Sequence, residues 1–283
     1  METEAAMISI RRYYPQHVLL KSLVECYQWF SVSSPLQIMT VPNGRVDAWI
    51  NLSGSFEFRD EKKNRYYAAP AMGFFPLSNS NTRVNIAEKL VCINIKFLPH
   101  ILAFPVVAPL LKTTRTLGFE KVFDAAELDS FKSMLLRKPA KEQTLQALED
   151  FLCRTVFRDS SSDAQLVTCL REMENSAAGS VKISAVAEKA NMTVKTLERK
   201  FKKQLGITPK VFCKIVRFQK TIRQMQQQDR GERERQLIDA LGNGYFDYSH
   251  FTKDSHDFTG LSPKNLLRSF LPETSDVIIE KRK

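Results

Sequence analysis

Between residues 183 and 225 the chain reads ISAVAEKANMTVKTLERKFKKQLGITPKVFCKIVRFQKTIRQM, and its apolar positions recur at helical spacing. Val194, Leu197, Phe201 and Leu205 share one face, because residues three and four apart stack on a 3.6-residue turn. Lys195, Glu198, Arg199 and Lys202 fall on a different face. Thr193 stands where an N-cap belongs, with an oxygen that can accept from an orphan N–H. Ala187 precedes Asn191 by four residues, and Asn tolerates the left-handed backbone of a tight turn. The pattern predicts a short helix, a turn, a second helix with an apolar back and a basic front, and then a longer helix. That longer helix carries Phe212, Ile215, Val216, Ile222 and Met225 in one stripe, with Lys214, Arg217, Lys220 and Arg223 on other faces.

The arrangement then repeats. Ala240 precedes Gly244 by four residues, Asp247 is a strong N-cap candidate, and Phe251 marks a buried side. Both units close on Gly followed by Ser/Thr-Pro: Gly206-Ile207-Thr208-Pro209 and Gly260-Leu261-Ser262-Pro263. Gly ends a helix in the left-handed conformation, and Pro fits the first turn of the next. The units start 53 residues apart and are separated by a charged loop over residues 226–235. Two helix-turn-helix units joined by one helix can read two successive major-groove segments on one face of DNA.

Upstream the period changes from 3.6 to 2. Val46, Ala48, Ile50 and Leu52 alternate between an Asn43-Gly44 turn and Gly54, and Val91, Ile93, Ile95 and Phe97 alternate up to Pro99. Shorter strands are predicted at residues 56–59, 65–68, 72–75 and 83–87. Short strands at such spacing argue for a small β-sandwich or barrel. From about Pro105 the pattern is helical, and Leu145, Leu148, Leu152 and Val156 repeat along one face. Polar breaks at residues 158–163 and 175–180 flank a short helix carrying Leu166, Val167, Leu170 and Met173. The apolar faces of these two helices are candidates for self-association.

Charge sharpens this division. From residue 181 onward there are 21 Lys and Arg against 12 Asp and Glu, and before it 21 against 19. The positive charge is concentrated where a polyanion would be met. Five scattered cysteines without a C-x-x-C pair suggest neither a zinc site nor a disulfide framework. Two distant histidines, His17 and His100, make a poor metal site for barrel-type oxygenase chemistry. No Gly-rich phosphate loop, G-x-S-x-G or H-E-x-x-H occurs. No metal, cofactor or catalytic residue is therefore expected. The absence of a signal-like N-terminus and of a long apolar run leads to the expectation of a soluble, cytoplasmic protein that does not enter a membrane.

Leu197-Glu198-Arg199-x-Phe201, Gly206-Ile207-Thr208-Pro209, Arg217-Phe218 and the run from Gly244 to Pro263 (GYFDYSHF…FTGLSP) carry a resemblance to the DNA-binding domain of the AraC/XylS family of bacterial transcription regulators. Tyr14-Pro15, Tyr27-x-Trp29, Val41-Pro42-Asn43-Gly44 and Asp47 carry a weaker similarity to the β-rich sensory domain of part of that family. The resemblance implies an α+β protein. A cupin-like sensory or dimerisation domain would occupy residues 1–158, a linker 159–180, two helix-turn-helix units 181–272, and a charged tail 273–283. Carried over by position, the base-reading residues are Lys195, Glu198 and Arg199 in the first unit and Tyr248, Ser249, Thr252 and Lys253 in the second. Lys200, Lys202, Lys203 and Arg217 are cast as phosphate contacts, which give affinity without sequence information.

The second unit departs from the family pattern. Ser255 stands where a buried Phe is usual, and His256 and Asp257 stand where basic residues are common. An unfilled aromatic site costs about 3–5 kcal/mol, and Asp254 and Asp257 would put negative charge near a phosphate-facing surface. The first unit is therefore expected to dominate affinity.

The implied function is sequence-specific transcriptional regulation, with activation favoured over repression. Its implied partners are double-stranded promoter DNA, RNA polymerase, a small-molecule effector and a second copy of the chain. Two alternatives stand beside it. One is an enzyme that borrows the same DNA-binding domain, as adaptive DNA-repair methyltransferases do, which would need a nucleophilic Cys in a zinc-bearing N-terminal domain. The other is a ligand-independent regulator. An enclosed, mostly apolar cavity of several hundred Å³ within residues 1–160 would favour a sensor.

Overall fold

The computed structural model describes residues 8–60, 63–112, 116–157, 162–176, 181–226, 244–270 and 274–280. The predicted strands are present, with three further strands before them. These are β1 (Ile8–Tyr13), β2 (Val24–Val32), β3 (Leu36–Thr40), β4 (Val46–Ser53), β5 (Glu57–Asp60), β6 (Arg65–Ala68), β7 (Met72–Phe75), β8 (Thr82–Ile86), β9 (Leu90–Phe97) and the short β10 (Leu117–Gly118). Val277–Ile279 near the C-terminus adds β11. They form two antiparallel sheets, ordered β1-β2-β9-β4-β7-β10 and β11-β3-β8-β5-β6.

The middle of the first sheet is buried on both faces, which is why Trp49 and Cys92 are apolar between the alternating apolar positions of β4 and β9. Ala48, Ile50, Ile93, Ile95 and Phe74 pack toward the helices. Phe30, Trp49, Leu90 and Cys92 face the second sheet, against Ile38, Phe56, Val84 and Ile86. Residues 105–112 form a 3-10 turn rather than an α-helix, since Pro105 and Pro109 donate no backbone hydrogen bond. Two α-helices follow, α1 (Ala125–Leu136) and α2 (Lys141–Val156).

α3 (Ala164–Asn175) is capped by Asp163, whose side chain accepts from Leu166 N at 3.0 Å. The apolar faces predicted as self-association surfaces are used within one chain. Leu148 and Leu152 of α2 and Leu166, Leu170 and Met173 of α3 are fully buried. The outer parts of the two polar breaks lie outside the described residues.

α4 (Ile183–Lys189), α5 (Val194–Leu205) and α6 (Pro209–Gln226) make the first helical unit and the connecting helix. α7 (Tyr248–Thr259) and α8 (Pro263–Ser269) follow. Ala240 and most of the charged loop lie outside the described residues. α6 is buried beyond its predicted stripe, at Phe218, Gln219 and Thr221 as well, because it lies between the second unit and the sandwich. Gln219 Nε2 donates to Pro42 O at 2.8 Å. No described helix is long and apolar enough to cross a membrane.

The expected charged tail at residues 273–283 is corrected in its middle. β11 pairs with β3, with Val277 opposite Thr40, Ile278 opposite Met39 and Ile279 opposite Ile38. Three consecutive β-branched residues favour a strand, but the partner edge lies more than 200 positions upstream, so no local pattern announces it.

Candidate nucleic-acid interface and internal cavity

The first helix-turn-helix closes as its spacing predicts. Met192 N donates to Ala187 O at 2.9 Å, Asn191 adopts φ 51°, and Thr193 Oγ1 accepts from Thr196 N at 3.2 Å. Gly206 ends α5 at φ 74°. Leu197, Phe201 and Leu205 are buried, and Phe201 meets Phe212 edge-on at 6.1 Å. Val194, predicted in the same stripe, is 37% exposed. At the first helical position it sits on the rim, before the stripe has turned inward.

Lys195, Glu198, Arg199, Lys202 and Lys203 are exposed. No ion pair joins Lys195, Glu198 or Arg199 to another described residue. Lys202 caps its own helix, donating to Gly206 O at 3.1 Å. Lys200 turns away from this face. Its ammonium pairs with Asp163 at 2.5 Å, and Gln204 donates to the same carboxylate at 3.0 Å. Burial alone would push the Asp163 carboxyl up, but these hydrogen bonds and that from Leu166 N hold it below its ordinary range. The phosphate role assigned to Lys200 is thereby corrected to a tie between α5 and the start of α3.

The second unit differs more. Asp247 caps α7 by accepting from His250 N at 2.7 Å. Tyr248, Ser249 and Lys253 are exposed, whereas Thr252 is half-buried with its hydroxyl oxygen out of solvent. Arg217 is not a surface cation. Only 12% of its side chain is exposed, its guanidinium bonds Asp254 at 2.8 Å, and it lies 4.5 Å from the Tyr245 ring centre. Burial would lower the Arg217 pKa, but the Asp254 and Tyr245 partners raise it instead. Its expected phosphate contact is corrected to a structural role.

Asp254 is fully buried between Arg217 and Lys214 (2.9 Å), so it adds no negative charge to the outer face. Asp257 remains half exposed. The gap expected at Ser255 is also filled. Ser255 Oγ donates to Leu261 O at 2.7 Å, and Phe258, three positions on, packs against Phe218 at 5.2 Å. A large aromatic is thus supplied one helical turn later. Phe246, not singled out by sequence reasoning, projects from the turn before α7 almost fully exposed.

Between the sheets lies a cavity of about 700 Å³. Phe30, Trp49, Phe56 and Phe75 line its apolar part, and Asp47, Lys96 and Asp276 its polar end. Residues 204–207, at the end of α5, and Val277 complete the wall. The cavity has the expected size but is partly open rather than enclosed, and residues outside 1–160 share in lining it. Ion pairs cross the same boundary: Arg45 bonds Glu25 and, at 2.6 Å, Glu174 of α3, while Arg223 of α6 reaches Glu25 at 3.3 Å. Among the described residues no group of three or more His, Cys, Asp or Glu could hold a metal ion. The five cysteines are free thiols, all buried except Cys153, which is half-buried.

An exposed cationic helix on an apolar back, followed through a connecting helix by α7 and α8 and packed beside a β-sandwich, is the arrangement of a protein with a helix-turn-helix region. Residues 186–269 match the family model described as Helix-turn-helix domain. No curated protein matches the chain as a whole. Among solved structures the chain is similar to ToxT from Vibrio cholerae O395 bound to (E)-4-(8-methylnaphthalen-1-yl)but-3-enoic acid. The identity is 9%, covering 86% of this chain and 98% of that one, with a TM-score of 0.50. A second ToxT structure, the P21 form at 1.65 Å, gives 10% identity, 86% and 97% coverage and a TM-score of 0.49. Unsaturated fatty acid-bound wild-type ToxT from strain SCE256 gives 9%, 84% and 94%, and 0.45. At 9% identity the likeness to the first of these is one of fold alone.

Proposed function

We propose that this chain is a sequence-specific transcriptional regulator that activates promoters in response to a small molecule. The observation that carries the reading is the outward face of α5. Lys195, Glu198 and Arg199 stand together, exposed, on a helix whose other side is anchored by Leu197 and Phe201. An arginine there can bond guanine bidentately, the commonest specific contact, and a glutamate can accept from a cytosine amino group. Tyr248, Ser249 and Lys253 are the corresponding contacts of the second unit, with Thr252 at its edge. Lys202 and Lys203 meet phosphate. Contact with RNA polymerase is the proposed output, and pairing of two copies the proposed means of reading paired sites.

The cavity supports a ligand-responsive regulator over a ligand-independent one, since pockets of about 300–1,000 Å³ with apolar walls and a few polar groups suit small molecules. ToxT has been solved with a naphthalenyl-butenoic acid and with an unsaturated fatty acid. Apolar acids are therefore the first class to test, with Lys96 at the polar end of the cavity.

The test is to select duplexes from a random pool with the full-length protein, then titrate one of them with wild type and with Arg199→Ala. Loss of about 1–3 kcal/mol, confined to one or two base positions, is expected. Uniform weakening across all sequences would reduce Arg199 to a phosphate contact. Long-chain fatty acids added to the same assay, and to in vitro transcription with RNA polymerase, test the effector and the output.

A further inference from the structure

The last strand of the sandwich is supplied by the chain as it leaves the DNA-binding region. α8 ends at Ser269, Phe270 bridges Ile278, and β11 lies on the free edge of β3. At the head of this strand Asp276 is 5% exposed. Its carboxylate is held by Lys96, by Asn43 Nδ2 at 2.7 Å and by Thr274 Oγ1 at 2.7 Å. Its carbonyl accepts from Val41 N at 2.9 Å. Beyond the strand, Glu280 pairs with Arg83 at 2.7 Å and its N–H donates to Gln37 O. Gln226, the last residue of α6, donates to Thr274 O at 2.8 Å.

The second unit is thus tied to the sandwich at both ends, and Asn81 reaches Phe258 O of α7 at 3.3 Å between them. Asp276 and Val277 also form part of the cavity wall. One segment is therefore an edge strand, a cavity wall and the continuation of a DNA reader. At three residues β11 is shorter than the roughly five to six of an average strand, so backbone pairing alone holds it weakly. The buried Lys96–Asp276 pair is its main anchor, and removing one partner of such a pair leaves an uncompensated charge.

We propose that residues 274–280 are a latch. Docked, the segment holds the second helix-turn-helix unit against the sandwich and away from the spacing that two successive grooves require. Occupancy of the cavity beside Asp276 and Val277 sets how often it releases. The proposal rests on the DNA-binding regulator reading above. Because coupling between sites is reciprocal, DNA that captures the second unit loosens the strand by the same factor by which strand release favours DNA.

The test uses full-length wild type, Asp276→Asn and Glu280→Lys, with a duplex that the wild type has enriched from a random pool. Amide hydrogen exchange follows peptides spanning residues 37–41 and 274–280, and a binding titration follows affinity. Both variants are expected to exchange faster in these peptides and to bind about tenfold tighter. The duplex is expected to speed exchange of the wild-type strand. Glu280→Lys acts at the rim and keeps the test open if Asp276→Asn does not fold. Faster exchange with unchanged or weaker binding overturns the latch, as does exchange that neither variant alters or that the duplex leaves unaltered. If the wild type enriches no duplex, the DNA-binding reading falls first and the latch with it.

Discussion

Replacing Arg217 with Ala separates two roles that a basic residue on a DNA-binding helix can have. In the structure the guanidinium faces Asp254, whose side chain has no exposed surface. The substitution leaves that carboxylate with Lys214 at 2.9 Å as its only ion-pair partner among the described residues. Breaking a buried pair costs about 3–5 kcal/mol, and the remaining lysine places the expected loss near the lower end, about 3 kcal/mol. For a chain of this size each kcal/mol moves the melting temperature by about 2–4 °C, so thermal unfolding followed by circular dichroism should fall by about 10 °C. The slope of log affinity against log salt should not change, because no phosphate contact is lost. Lys203→Ala supplies the contrast. It is exposed, so its melting temperature should stay put while the salt slope shrinks by about 0.9. If Arg217→Ala melts within about 1 °C of wild type and loses that much slope, the assignment of Arg217 to the interior of the second unit is wrong.

Three other outcomes are expected. Arg199→Ala should weaken binding to a selected duplex more than Lys253→Ala, and the reverse order would show that the second unit leads. Phe258→Ala removes the aromatic that stands in for the one missing at Ser255, and should cost about 3–5 kcal/mol in urea denaturation; a loss under about 1 kcal/mol would mean the site collapses without it. Acid should destabilise the fold. In Glu25, Asp163 and Asp276, burial raises the pKa but cationic and hydrogen-bonding partners outweigh it, so all three are held below their ordinary values. A depressed folded pKa contributes stability that is complete above the unfolded value and is lost as pH falls through the folded one. The denaturation midpoint should therefore drop as pH falls below about 4.5, and a midpoint that is flat or rising in that window would contradict these pairings.

The local grammar of the DNA-binding region was legible. Thr193, Asp247, Asn191, Gly206 and Gly260 behave as cap and turn residues must, because caps and left-handed turns are decided by the chain within four or five positions. The period-2 runs were legible for the same reason, down to the ends of β6 and β7. The partners of charges were not legible. Lys200, Arg217 and Asp254 look alike on a helical wheel to residues that meet DNA, yet each is claimed by a neighbour from another element. A helical stripe also says which face is buried and not where burial begins, which is how Val194 came to lie on the rim.

The sequence alone determined the first helix-turn-helix unit, the helix that follows it, the caps of α7, the short strands from residue 46 onward and the cationic face at Lys195, Glu198 and Arg199. These depend on periodicity and on backbone preferences of single residues, which act over short range. Tertiary structure alone decided that Val277–Ile279 would complete a sheet begun at Leu36–Thr40, that Lys96 would find Asp276, and that the end of α5 would wall the cavity. Those outcomes depend on pairing surfaces and charges far apart along the chain. They join the cavity to the DNA reader.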